Sequence, residues 1–216
     1  MTVSVLDPQG QDCLMIFARY PTPGQAKTRL IPALGAEGAV QLYRQLAEHT
    51  VGQARILQRQ PEVAVMLWYT GAEEAAMRSW LGDGLCYSPQ SEGDLGDRLA
   101  TAFWAAFEGG CRSAIAIGTD CPELDVATLA QAFVLLQQHP LVLGPASDGG
   151  YYLIGLRQFV PGLFQGIVWS TASVLSQTVA QAAQAGLTPA YLPTLTDIDT
   201  PEDLDVWEQL SLNQPT

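Results

Sequence analysis

The chain has 216 residues, of which 48% are apolar and 15% are charged, and its 22 acidic and 10 basic side chains give a formal net charge of -12. This length fits one domain. So acidic a composition argues against a nucleic-acid-binding protein and against a protein that docks on anionic lipid. The apolar content allows a sizeable core and is compatible with a homodimer contact.

Apolar patterns predict strands and helices that alternate along the chain. Strands are expected at residues 13–18, 62–70, 85–87, 113–118, 141–146, 151–156 and 188–193. Helices are expected at residues 36–57, 72–81, 97–108, 125–138, 170–185 and 201–210. We predict one domain over residues 1–216, in which 1–12 and 211–216 are loose ends.

Near-continuous apolar strands that alternate with helices indicate an α/β protein, a single-domain three-layer α/β/α sandwich around a mostly parallel sheet. In such folds ligands bind outside the carboxyl ends of the strands. Unusual residues follow four of the predicted strands, in the segments FARYPTPGQAKTRL (17–30), TDCPELD (119–125), SDGG (147–150) and TDIDTPEDL (196–204). We therefore look for a ligand site where these segments meet.

The segment after the first strand is a candidate anion-binding loop. It contains Lys27, the single lysine of the chain, between Arg19 and Arg29. Gly24 would let a ligand approach the backbone closely. The ammonium, hydroxyl and guanidinium of Lys27, Thr28 and Arg29 suit a phosphate or diphosphate. A solvated loop with incidental charges is the alternative.

Two familiar phosphate-binding motifs do not fit this loop. A Walker A motif needs glycines where the chain has Pro21 and Ala26. The Rossmann pattern GxGxxG is also absent. Lys27 would therefore meet its phosphate in a loop of a different kind.

Acidic residues in two of the segments are candidate metal ligands. Asp120 directly follows a buried strand and is predicted to bind Mg²⁺ or Mn²⁺; alternatively it caps the turn before Pro122. Asp197 and Asp199 lie outside the last predicted helix, where Thr200 is expected to be the cap. Either aspartate could complete the metal site, with Asp199 preferred, or could be a turn residue.

The SDGG segment is a candidate acid–base and acceptor-binding site. Asp148 is expected to act on an acceptor hydroxyl, and Gly149 and Gly150 would let the acceptor approach the backbone. A plain turn between two strands is the alternative.

Arg98, at a predicted helix start, joins the candidate phosphate-binding residues. Gly93 and Gly96 are expected to make the loop before it flexible, so that it could close over a ligand; a plain surface loop is the alternative. We expect Ser170 to cap the helix that follows it and Asp125 to cap the helix at 126–138.

Cysteine usage and targeting signals indicate a cytoplasmic protein. The first residues have no basic segment before their apolar run, and no apolar run approaches the roughly 20 residues of a membrane span. The four cysteines form neither a CxxC pair nor a zinc-like spacing with the two histidines. We expect reduced, mostly buried thiols.

Taken in order, FARYPTPGQAKTRL, GDLGDRL, IGTDCPEL, ASDGGYYLIGL and DIDTPEDL resemble the radical-SAM/selenodomain-associated transferase family, also described as arsenosugar-biosynthesis glycosyltransferases. The resemblance spans residues 14–204, and that family belongs to the nucleotide-diphospho-sugar transferase (GT-A-like) superfamily. KTRL is also similar to 2-phospholactate guanylyltransferases, and DIDTPEDL to molybdenum-cofactor nucleotidyltransferases. The resemblance implies a nucleotide and a divalent metal at the strand ends.

The chain departs from the superfamily pattern in two places. The glycine-rich GxGxR opening of sugar-nucleotide pyrophosphorylases is absent, and the loop with Lys27 stands in its place. The D-x-D of glycosyltransferases is also absent after the central strand, where Asp120 stands alone. These departures matter because a fold does not determine a reaction.

The sequence predicts an enzyme, a metal-dependent transferase that moves a sugar from a nucleotide-diphospho-sugar to a small acceptor. Lys27 and Arg29 would offset charge on the leaving diphosphate, and Asp148 would position or deprotonate the acceptor hydroxyl. Two alternatives stay open, namely nucleotidyl transfer from a nucleoside triphosphate to a substrate phosphate, and a nucleotide-binding protein without catalysis. No motif identifies the base, the sugar, the acceptor or the stereochemistry.

Overall fold

The computed structural model describes residues 8–212. Residues 1–7 and 213–216, most of the two predicted loose ends, lie outside the described residues. Gly10 donates its N–H to the Gly110 carbonyl at 2.9 Å, and Asp12 begins the first strand. The last helix runs to Leu212. Among the described helices, none has the length and apolar character needed to cross a membrane.

Within residues 8–212, seven strands form one sheet in the order β3-β2-β1-β4-β6-β5-β7. The strands are β1 (Asp12–Arg19), β2 (Val63–Thr70), β3 (Cys86–Pro89), β4 (Ser113–Ile117), β5 (Leu141–Pro145), β6 (Tyr151–Leu156) and β7 (Pro189–Tyr191). Strand β6 is antiparallel to both of its neighbours, and the other pairs are parallel. The prediction of a mostly parallel sheet is confirmed.

The described chain has six α-helices, five that connect strands and one after the last strand, and short 3₁₀ turns at Thr28–Leu30, Pro161–Phe164 and Pro201–Asp203. The helices are α1 (Ile31–Leu57), α2 (Glu74–Leu81), α3 (Leu95–Glu108), α4 (Val126–Leu136), α5 (Val174–Gln184) and α6 (Leu204–Leu212). Gly35 interrupts α1 with a φ of 69° and a ψ of 168°. Regular helix therefore runs from residue 36, where the apolar pattern predicts it.

The helices cover both faces of the sheet, which confirms the three-layer architecture. Successive side chains of a strand point to opposite faces. In β1, Leu14 and Ile16 pack with residues of α1, α2 and α4, whereas Cys13 and Met15 pack with residues of α3 and α5. All four cysteines are free, and three of them are buried, as expected.

The sheet topology brings the unusual segments to one edge. Because β6 runs antiparallel, the turn between β5 and β6 lies at the carboxyl end of β5, beside the carboxyl ends of β1 and β4. Ser147 donates its N–H to the Leu195 carbonyl at 3.0 Å, and Ile198 donates its N–H to the Asp120 carbonyl at 2.9 Å. These bonds place the segment 196–199 across the same strand ends.

Candidate active site

Lys27 lies at the centre of this edge. Its side chain is only 4% exposed, and its Nζ lies 2.8 Å from Oδ1 of Asp120 and 3.4 Å from Oδ1 of Asp199. Arg29, at 64% exposure, places Nη1 2.6 Å from Oδ2 of Asp199. The structure thus joins the cations that follow β1 to the aspartates that follow β4 and β7.

The ammonium of Lys27 is held in its charged form. Burial alone lowers the pKa of Lys27, but the carboxylates of Asp120 and Asp199 outweigh burial and raise this pKa above its usual value. The backbone of Lys27 is left-handed, with a φ of 50°. This conformation is energetically unfavourable for residues other than glycine. Lys27 is therefore a fixed point charge.

Asp197 and Asp148 add two further carboxylates. Burial, followed by the charges of Asp120 and Asp148, raises the pKa of Asp197 to about 7. Asp148 is exposed, and its Oδ1 accepts the N–H of Gly150 at 2.7 Å. The Asp148 side chain is thus oriented by its own turn.

Asp120 and Asp199 are the predicted metal ligands, and Lys27 brings their carboxylates together. Oδ1 of Asp120 is buried and makes no hydrogen bond of regular geometry, in spite of its short contact with Lys27. No three His, Cys, Asp or Glu side chains among residues 8–212 are grouped as a metal centre. Two carboxylates still fit Mg²⁺ or Mn²⁺, which commonly take their other ligands from substrate phosphates and water.

Two cavities meet at Lys27, Asp120 and Asp199, which line both of them. The first, which we call the Tyr43 cavity, has a volume of about 290 Å³ and lies beyond the ends of β1, β2 and β3. The second, the Trp169 cavity, has a volume of about 410 Å³ and is also lined by the turn after β5 and by residues before α5. A ligand that occupies both cavities would pass Lys27.

The Tyr43 cavity has a polar wall held by side-chain hydrogen bonds. The Tyr43 hydroxyl accepts the N–H of Arg19 at 2.8 Å and donates to the carbonyl of Arg19 at 2.9 Å. Gln90 donates to the Trp68 carbonyl at 3.0 Å, and its Oε1 accepts from Arg98 at 3.4 Å. Arg19, Lys27 and Arg98 all line this cavity.

Most of the predicted site residues meet in these cavities. Arg29, Asp148 and Gly150 line the Trp169 cavity. Gly24 and Thr28 are exposed in the loop and are not among the residues that line either cavity.

Gly149 is likewise not among the lining residues, and it packs closely against the backbone of Ala172. It has a φ of 90°, and a Cβ at this position would lie 2.2 Å from the carbonyl oxygen of Ala172. A glycine is therefore required there by packing between two loops.

Two sequence predictions about local structure are wrong. Ser170 does not cap α5, because that helix begins at Val174 with Ser173 at the N-cap. Gly96 is not a flexible loop residue: it is buried within α3, and a Cβ there would lie 2.9 Å from both Cζ2 and Nε1 of Trp169. The role of Gly96 depends on its contact with a side chain from a distant segment, which the local sequence pattern does not show.

The predicted caps at Asp125 and Thr200 are confirmed. Asp125 accepts the N–H of Thr128 at 2.8 Å, and Thr200 forms a reciprocal capping box with Asp203. A further capping box, between Asp94 and Asp97, starts α3 two residues earlier than predicted. Its D-x-x-D spacing is a signal that could have been read from the sequence.

The segment before α5 is the part of the candidate site that sequence reasoning missed. Trp169, Ser170, Thr171 and Ala172 line the Trp169 cavity in succession. Among the described non-glycine residues, Lys27 and Ser170 are the two with a positive φ, and both line this cavity. Backbone strain of this kind commonly occurs at functional sites.

Comparisons with known proteins identify the family. Residues 53–171 match the model of DUF2064, a family of uncharacterized proteins conserved in bacteria. No curated protein matches the sequence. A solved protein from Desulfovibrio desulfuricans G20, provisionally assigned as a nucleotide-diphospho-sugar transferase, is 33% identical, with a TM-score of 0.87; the match covers 95% of this chain and 90% of that one.

More distant solved structures share the fold alone. A 4-diphosphocytidyl-2C-methyl-D-erythritol synthase from Anaerococcus prevotii is 11% identical, with a TM-score of 0.63 and coverage of 99% of this chain and 100% of that one. Rv0371c from Mycobacterium tuberculosis, in complex with manganese, is 16% identical, with a TM-score of 0.52 and coverage of 92% and 97%. The chain therefore belongs to the bacterial DUF2064 family and has the fold that nucleotide-diphospho-sugar transferases and cytidylyltransferases share.

Proposed function

We propose that the protein is a metal-dependent transferase that moves a sugar from a nucleotide-diphospho-sugar to a small acceptor. The observation that carries this proposal is the buried ammonium of Lys27 at the junction of the two cavities. A nucleoside in one cavity and a sugar in the other would leave their diphosphate beside this charge. The assignment of the 33% identical Desulfovibrio protein to the same donor class supports the proposal.

Each charged residue has a role in this proposal. Lys27 and Arg29 would stabilise the negative charge that develops on the leaving diphosphate. Asp120 and Asp199 would hold Mg²⁺ or Mn²⁺, which neutralises diphosphate oxygens when bound. Arg19 and Arg98 would contact the nucleotide from the wall of the Tyr43 cavity.

Asp148 is the proposed general base. It lines the Trp169 cavity and is exposed, so an acceptor can reach it. As the acceptor oxygen bonds to the anomeric carbon of the sugar, the hydroxyl proton would pass to the Asp148 carboxylate. The bond from that carbon to the diphosphate would break, which releases a nucleoside diphosphate.

Nucleotidyl transfer is the second candidate. The observation that favours it is the presence of three cations, Arg19, Lys27 and Arg98, along the Tyr43 cavity, because a triphosphate carries more charge than a diphosphate sugar. A phosphate of the substrate would then attack the α-phosphorus and release pyrophosphate.

Calorimetric binding tests the proposal. Nucleotide sugars and nucleoside triphosphates of every base are titrated with Mg²⁺ or Mn²⁺ into the wild type, Lys27→Met and the control Arg59→Met, which removes an exposed arginine from the turn after α1. We expect metal-dependent binding of a nucleotide sugar that is lost only in the Lys27 variant. Loss of this contact should also lower turnover on the order of 10²–10³-fold.

Product analysis then separates the candidates. A nucleoside diphosphate indicates sugar transfer, and pyrophosphate indicates nucleotidyl transfer. Nucleotide binding without turnover across a wide acceptor panel would favour a protein that only binds nucleotide. No binding of either nucleotide class by the folded protein would overturn the proposal.

A further inference from the structure

One loop supplies much of the Trp169 cavity, and we call residues 168–173 the Trp169 loop. Trp169, Ser170, Thr171 and Ala172 line the cavity consecutively. The loop stands between the 3₁₀ turn Pro161–Phe164 and α5, outside the four segments that supply the charged residues of this cavity. It therefore contributes a separate surface to the same cavity.

The Trp169 loop is held in one shape by hydrogen bonds. Thr171 Oγ1 donates to the Val168 carbonyl at 2.7 Å. The Val168 N–H donates to Oε1 of Gln177 at 2.7 Å, and Nε2 of Gln177 donates to Ser173 Oγ at 3.0 Å. The loop is thus closed on itself and tied to α5, which maintains the positive φ of 62° at Ser170. Such a rigid wall is suited to recognition.

The position of Trp169 is fixed by contact with α3. Its Cζ2 and Nε1 lie so close to Gly96 that a Cβ there would be 2.9 Å from both. Leu95, next to Gly96, is 44% exposed and lines the same cavity. An indole and an aliphatic side chain together give the cavity an apolar wall that can cover the C–H face of a ring.

The charges of the Trp169 cavity argue against a phosphorylated acceptor. Among the described residues that line the cavity, the cations are Lys27 and Arg29, and each already contacts Asp120 or Asp199. A phosphate on the acceptor would need a further Arg or Lys of its own. It would meet Asp148 instead.

We propose that the Trp169 loop is the acceptor subsite and that it takes an uncharged, ring-bearing polyol in preference to the phosphate ester of the same compound. The inference rests on the proposed function, because it assigns the acceptor side of that site. It also favours sugar transfer over nucleotidyl transfer, since nucleotidyl transfer needs a phosphate on the substrate.

Fluorine NMR of protein labelled with 5-fluorotryptophan tests the inference directly. The chain has five tryptophans, and Trp169→Phe identifies the signal of Trp169. With Mg²⁺ present, the labelled protein is titrated with myo-inositol and D-glucose, and then with myo-inositol 1-phosphate and glucose 6-phosphate. We expect a polyol to shift the Trp169 signal saturably, with a Kd at least about tenfold lower than that of its phosphate ester.

The control variant is Trp104→Phe, which changes a tryptophan of α3 that is 53% exposed and not among the lining residues of the cavity. It should leave the titration unchanged, and the other tryptophan signals show that each variant is folded. Equal or tighter binding of the phosphate esters would overturn the inference, and so would the failure of both polyols to move the Trp169 signal.

Calorimetry on the same protein separates the two proposals. Nucleotide-sugar binding without a polyol response would overturn only the acceptor subsite. A polyol response without any nucleotide binding would leave a polyol-binding site at the Trp169 loop and would remove the proposed function, and with it the acceptor role.

Discussion

At the scale of single residues, the site depends on a buried ammonium between two half-exposed carboxylates. Lys27 is 4% exposed, whereas the side chains of Asp120 and Asp199 are each 43% exposed. If Lys27 moved away, the carboxylates of Asp120 and Asp199 would lose the positive charge that they share. The two aspartates nevertheless remain accessible to a ligand. A fixed cation beside accessible carboxylates can serve a diphosphate and a metal together.

The first prediction concerns Lys27→Met, which keeps most of the length of the side chain and removes its charge. Asp120 and Asp199 lose their shared partner, so we expect the free energy of unfolding to fall by about 1–2 kcal/mol. This is less than the roughly 3–5 kcal/mol for a fully buried pair, because water screens the aspartates. Urea denaturation measures the change, with Arg59→Met as the control. Unchanged stability would mean that the ion pairs contribute nothing net to the fold.

The second prediction concerns the strained backbone at Ser170. Ser170→Gly should raise the free energy of unfolding by up to about 1 kcal/mol, because glycine adopts a positive φ without a Cβ penalty. The matched control is Ser176→Gly in α5, which should lower it by about 0.5 kcal/mol through helix propensity. Thermal unfolding compares the two variants. A loss of stability in Ser170→Gly would show that the Ser170 side chain, rather than its strain, dominates.

At the scale of elements, two helical glycines illustrate how packing decides a role. Gly96 in α3 faces Trp169 and the Phe164 carbonyl, to which a Cβ would come within 2.7 Å. Gly52 in α1 has open space at the same position, with nothing within 4 Å. The same substitution should therefore have opposite effects in the two helices.

The third prediction compares Gly96→Ala with Gly52→Ala. Overpacking at Gly96 should lower the free energy of unfolding by about 1–3 kcal/mol and displace the Trp169 indole. Gly52→Ala should raise it by about 0.5–1 kcal/mol, because alanine favours the helix. Urea denaturation measures both, and the fluorine signal of Trp169 should shift only in the Gly96 variant. Equal effects of the two substitutions would contradict the close packing of α3 on the Trp169 loop.

Each predicted strand and helix is present, usually within a few residues, because their apolar patterns are local. The meeting of Lys27 with Asp120 and Asp199 was also accessible to prediction, since the carboxyl ends of parallel strands share an edge. The cavity wall around Trp169 could not be predicted from the sequence, because it depends on contacts such as that between Gly96 and Trp169. No local pattern records a contact between segments so far apart in the chain.

At the scale of the whole molecule, residues that are far apart in the chain form one site. Lys27 and Asp199 are 172 positions apart. Ile198 is fully buried in a hydrophobic cluster with Leu30, Leu42 and Leu46, against which residues of α6 also pack. Its N–H donates to the Asp120 carbonyl. The packing of the Ile198 side chain thus positions its two neighbours in the chain, Asp197 and Asp199.

The fourth prediction is that Ile198→Ala weakens both the fold and the site. Removing a fully buried isoleucine should lower the free energy of unfolding by about 2–4 kcal/mol. Nucleotide affinity should fall as well, although Ile198 is not among the residues that line either cavity, because Asp199 loses its support.

The matched control is Ile56→Ala, at a residue of α1 that is 43% exposed, and it should cost less than about 1 kcal/mol. Hydrogen exchange should show faster opening of residues 27–30 together with 198–209 in the Ile198 variant alone, because these segments share one hydrophobic cluster. The prediction would be contradicted if Ile198→Ala lost stability but kept its nucleotide affinity, and if residues 27–30 and 198–209 opened independently. The cluster would then support the fold without organising the site.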